Sequence, residues 1–76
     1  MRGFREPPAD IKLSVTYDEY MDMRGDILFG SFSRLEDKLR LYVKNVEIKY
    51  AGVFPNYIFI VTYDDKKILV KPYVKI

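Results

Sequence analysis

Two pairs of adjacent acids, Glu36 with Asp37 and Asp64 with Asp65, and the basic side chains beside them, Lys38, Arg40, Lys66 and Lys67, are the groups in this 76-residue sequence best equipped for chemistry. Neighbouring carboxylates at loop tips are ordinarily turn formers, because short acidic side chains accept hydrogen bonds from nearby backbone amides. The sequence holds no histidine and no cysteine, which removes imidazole catalysis, thiol chemistry, zinc fingers and disulfide staples together. It also lacks a glycine-rich phosphate loop. These residues point to a binding protein and not an enzyme, with no cofactor and no metal.

Binding chemistry starts from charge. The formal net charge is +2, but residues 1–37 carry five basic and eight acidic side chains while residues 38–76 carry eight basic and three acidic. That asymmetry is either an uneven solvated surface or a basic face for phosphates.

The elements that would position these groups read as β-strands. Residues 1–9, with two adjacent prolines and no periodicity, form an irregular arm, and residues 10–76 form a single small domain. Ile11, Leu13, Val15 and Tyr17 alternate as in a strand. The stretch YDEYMDMRGD either continues that strand or makes one helical turn before a turn at Arg24-Gly25-Asp26. Ile27 to Ser33 is strand-like with Gly30 inside it, and an interior glycine implies a sharp bend. From Leu39 to Tyr50 the apolar positions change parity, so an inserted residue at Lys44-Asn45 is expected, with Asn45 supplying a left-handed conformation. Tyr57 to Tyr63 is apolar on both faces. Asp64 to Lys67 reads as a hairpin loop, and Ile68 to Lys71 as a last strand ended by Pro72. The expected fold is all-β, a small five-stranded, strongly bent SH3-like barrel, with at most a short N-terminal helical turn.

Strand, glycine, loop and bent strand in this order resemble the Sm-like (LSm/Hfq) family in a divergent, archaeal or viral form. Leu28, Gly30, Phe32, Leu35, Glu36, Leu39, Arg40, Leu41 and Val43 fall without a gap on the positions of that family's first motif. The run IVTYDDKKILVKP has the cadence of its second motif. The polar signature departs: Glu36 stands for the motif aspartate, Arg40 for its asparagine, and Tyr63-Asp64 for its Arg-Gly pair. The resemblance implies a ring of six or seven identical subunits, closed by strand pairing between neighbours, that binds single-stranded RNA at its rim. Glu36, Lys38 and Arg40 from one loop and Tyr63, Asp64, Asp65 and Lys66 from another are the residues it assigns there, with Gly30 and Asn45 as structural bends. Arg40 lacks the paired donor and acceptor of an amide, so uridine reading is degenerate.

A second reading keeps the barrel and changes its role. In it Arg40 pairs with Glu36 or Asp37, Tyr63 is a core-edge tyrosine, and Lys66 and Lys67 are a solvated loop tip. The protein is then an interaction module, such as a viral or phage inhibitor, that adds a strand to a partner through an exposed sheet edge. Under both readings the absence of a long apolar run and of a signal-like N-terminus predicts a cytoplasmic protein with no membrane partner.

Overall fold

Thr16 and Glu19 mark the first departure from an all-β chain. The spacing Thr-x-x-Glu makes a capping box. Thr16 Oγ1 accepts the Glu19 backbone N–H at 3.1 Å, and the Glu19 carboxylate accepts the Thr16 backbone N–H at 3.2 Å. The box satisfies backbone donors that a helix start leaves without partners. In the computed structural model, which describes residues 7–73, a 13-residue helix α1 (Tyr17–Phe29) follows it. Gly30 ends the helix at φ 78°, a left-handed conformation that most side chains resist.

After Ser31 the chain enters a second helix, α2 (Phe32–Leu39). Phe32, Leu35 and Leu39 recur at helical spacing, and Leu35 and Leu39 are fully buried. The two helices are clasped by charge. Lys38 Nζ lies 2.5 Å from Asp26 Oδ2 and 3.1 Å from Asp22 Oδ2, while Arg34 Nε approaches Asp26 Oδ1 at 3.8 Å. Asp26 is buried, and Lys38 supplies a counter-charge within hydrogen-bond distance.

Four strands complete the described fold: β1 (Ile11–Val15), β2 (Ile48–Val53), β3 (Ile58–Thr62) and β4 (Lys67–Pro72). They form one sheet in the order β1-β4-β3-β2. β1 runs parallel to β4, and the other neighbours are antiparallel. Val15, Ile48, Ile58, Ile60, Ile68 and Val70 share one buried cluster with Tyr20 and Met23 of α1 and Leu35 and Leu39 of α2. Both helices therefore cover the same face of the sheet. Glu36 of α2 ties the layers together by accepting the Ile48 backbone N–H at 2.8 Å.

The expected five-stranded SH3-like barrel is overturned: the described residues form an open, mixed four-stranded sheet under two helices. The strands read over Ile11–Tyr17, Tyr57–Tyr63 and Ile68–Lys71 correspond to β1, β3 and β4, whereas those read over Ile27–Ser33 and across Leu39–Tyr50 do not exist as drawn. The first covers the end of α1, the Gly30 cap and the start of α2. The second covers the end of α2, a loop, and the start of β2. Period-two alternation misled there because Leu41 faces solvent, 78% exposed, and does not belong to a buried face. Gly30 caps a helix instead of bending a strand. Asn45 is left-handed at φ 55°, but in the loop before β2, and the register slip of the sheet lies further on, between Ile48 and Tyr50.

The Sm-like first-motif positions thus lie on helices and a loop, and among the described residues no fifth strand exists to close a barrel or pair a ring. Of the expected arm, residues 1–6 lie outside the described part, and residues 7–9 have no regular structure. No described helix is long and apolar enough to cross a membrane.

Candidate nucleic-acid interface

The sheet face turned away from the helices is built by the same alternation that fills the core. Register places Lys12, Leu69, Phe59 and Gly52 in one row across β1, β4, β3 and β2. A second row runs Lys67, Val61, Tyr50, and Ser14 pairs with Lys71 beside the first. The outward strand positions hold no carboxylate, but Asp10, one residue before β1, lies level with Lys67 and accepts its backbone N–H at 2.9 Å, so one acid borders the second row. Leu69 is fully buried at the centre, Phe59 and Val61 are half-buried, and Lys12 and Lys67 are exposed. No described helix or strand covers this face, but with Leu69 fully buried its exposed part is the rim, at Lys12, Ser14, Lys67 and Tyr50.

At the β2 end the face becomes an aromatic wall. A Cβ on Gly52 would meet Tyr50 Oη at 3.0 Å and Phe54 Cε1 at 3.2 Å, so both rings lean over a backbone that only glycine leaves bare. Tyr50 remains 51% exposed. Phe54 also stacks on Tyr57, with ring centroids 5.0 Å apart and planes 18° from parallel. The turn between them is closed by the Phe54 N–H donating to the Tyr57 carbonyl at 2.9 Å. An exposed ring beside a lysine-bearing sheet can stack a flat heterocycle while the ammonium groups engage its phosphates.

The residues assigned to RNA by motif position lie elsewhere, most of them already partnered. Lys38 is held between Asp26 and Asp22. Burial disfavours its charge, but the hydrogen bonds to those two carboxylates outweigh that and raise its pKa above the ordinary lysine value. Arg40 donates to Asp37 at 2.8 Å and lies 3.6 Å from Glu36, with a further bond to the Val46 carbonyl at 3.4 Å. Asp64 accepts a short hydrogen bond from the Thr62 hydroxyl, which holds its carboxyl below the usual range. Asp65 takes a left-handed turn conformation at φ 69°, Lys66 lies 3.9 Å from Asp64, and Tyr63 is 69% exposed beside them.

The structure does gather Arg40, Asn45 and Asp64 around one shallow cavity of about 390 Å³, together with Val46 and Glu47. Glu47 and Asp64 add negative charge to it, and the guanidinium of Arg40 is committed to Glu36 and Asp37, so the cavity is a poor phosphate site. No three acids converge as metal ligands among the described residues.

Lys12, Tyr50, Phe59 and Lys71 were not singled out by the sequence reading as binding residues. Their signal is outward parity, each on its own strand from β1 to β4, and it has meaning only once the helices are known to take the other face. Comparison with known proteins adds no family: no family model matches the chain, and no curated protein or solved structure matches it.

Proposed function

We propose that this protein binds single-stranded RNA across the outer face of its sheet. The observation that carries the reading is the composition of that face: exposed Lys12 and Lys67, the third lysine Lys71, the aromatics Tyr50, Phe54, Tyr57 and Phe59, and no carboxylate at an outward strand position. Lysines supply phosphate attraction without sequence preference, and each base stacked on an exposed ring adds about 1 to 3 kcal/mol in proteins that work this way. Sequence selectivity is low in this reading, because stacking accepts every base.

Fluorescence anisotropy with labelled oligouridylate, oligoadenylate and a single-stranded DNA of the same length tests the proposal. Binding that weakens when Tyr50 is changed to alanine, and weakens again with Lys12→Ala and Lys67→Ala, is the expected result. Binding to none of the three oligonucleotides at low salt, or binding that ignores all three substitutions, would overturn it.

A further inference from the structure

Among the described residues the sheet has two unpaired edges, and they differ. The β2 edge is interrupted by the register slip between Ile48 and Tyr50 and by Gly52 under its two rings. Such irregularity blunts an edge against further pairing. β1 is regular from Ile11 to Val15, with no proline and no bulge, and among the described residues it pairs on one side only, with β4. Ile11 and Leu13 pack against the core yet remain partly exposed.

We infer that the β1 edge pairs antiparallel with β1 of a second copy of this chain, joining two sheets about a two-fold axis centred on Leu13. The order of residues selects that register. A two-fold axis perpendicular to the sheet keeps the helices of both copies on one side, and it can pass only through a residue position, because helix-facing positions must oppose helix-facing positions. Centred on Leu13, it sets Ile11 against Val15 of the other copy and Leu13 against its own counterpart on the helix side, while Lys12 meets Ser14 on the outer face. All five strand residues are paired and no like charges oppose. Centred on Lys12, the axis would bring two ammonium groups together. Centred on Ser14, it would run Ile11 against Tyr17, which already belongs to α1.

This inference goes beyond RNA binding and does not depend on it, although the joined sheet would present two outer faces as one surface. The test uses the full chain without nucleic acid, by sedimentation equilibrium and native mass spectrometry. A dimer is expected. Ser14→Lys, which opposes Lys12 across both symmetric pairs, should raise the dimer dissociation constant about tenfold, and Ser14→Glu should lower it by a similar factor. Ser14 also pairs in register with Lys71 within the chain, so Ser14→Lys changes an internal contact as well. The double variant Lys12→Glu/Ser14→Lys separates the two: it keeps the contact with Lys71, restores attraction across the seam, and should dimerise as the unmodified chain does. Circular dichroism on the same samples verifies folding. A monomer at every concentration, a six- or seven-membered assembly, or a dimer indifferent to both Ser14 variants overturns the inference.

Discussion

Gly25 and Gly30 lie five positions apart and make opposite demands on a side chain. Gly30 sits at φ 78° at the end of α1, where an L-residue is strained by about 1 to 2 kcal/mol. Gly25 lies inside the helix with nothing within 4 Å of where its Cβ would be. Gly30→Ala should therefore lower the unfolding free energy by about that strain, and Gly25→Ala should raise it by about 0.5 to 1 kcal/mol through helix propensity. Urea titration of the two variants measures both signs. Glu19 carries a second prediction at this scale. Hydrogen bonds from the Thr16 backbone and then from the Tyr42 hydroxyl lower its pKa in the folded state. A carboxylate depressed by folding contributes stability that is complete above its unfolded pKa and disappears as pH falls through the folded value. Melting temperature measured across the acid range should fall less steeply for Glu19→Gln than for the unmodified chain.

Among the elements, the two helices depend on each other more than either depends on its own propensity. α2 has only eight residues and no side-chain cap at Ser31, and an isolated helix of that length is unstable in water. Its order comes from Leu35 and Leu39 entering the core, from Glu36 reaching the Ile48 amide, and from Lys38 reaching back to Asp26. Truncating Leu35, which has no exposed surface, should cost about 2 to 5 kcal/mol. The ion clasp should behave differently. Lys38→Met strips the buried Asp26 of its closest counter-charge and should cost about 2 kcal/mol, whereas adding Asp26→Leu to it should recover most of that loss, since a buried pair is costly mainly when broken. Chemical denaturation of the two single variants and the double variant decides this.

Taken whole, the molecule separates its two kinds of surface by sheet face. The helix side holds the apolar cluster and the acid-rich first helix, with Asp18, Asp22 and Asp26 on α1. The opposite side gathers lysines and aromatic rings. If Lys12, Lys67 and Lys71 each neutralise one RNA phosphate, the logarithm of the binding constant should fall against the logarithm of salt concentration with a slope of about −2, and each lysine-to-alanine change should reduce that slope by about 0.7. Anisotropy titrations over a salt series provide the slope. A salt-independent affinity would mean that the lysines do not meet phosphate.

How much of this was legible in the sequence differs from element to element. β1 was readable because its apolar residues alternate, and β3 and β4 because each is a short apolar run bounded by turn residues or a proline, all of which are local properties. The Thr16–Glu19 capping box and the spacing of Phe32, Leu35 and Leu39 were also present, but a glycine inside an apolar run imitated a bent strand, and Leu41 extended a false alternation. For Arg40, pairing with Glu36 and Asp37 was weighed from spacing alone, and both contacts exist. Lys38 could not be placed that way, because its partners Asp22 and Asp26 lie on another helix. Composition, the lack of histidine and cysteine, the uneven charge and three of the four described strands follow from the chain's residues and their local order. Tertiary structure alone decided which face of the sheet the helices cover, and with it which lysines and aromatic rings share a surface, because those contacts join residues far apart in the chain and no local period encodes them.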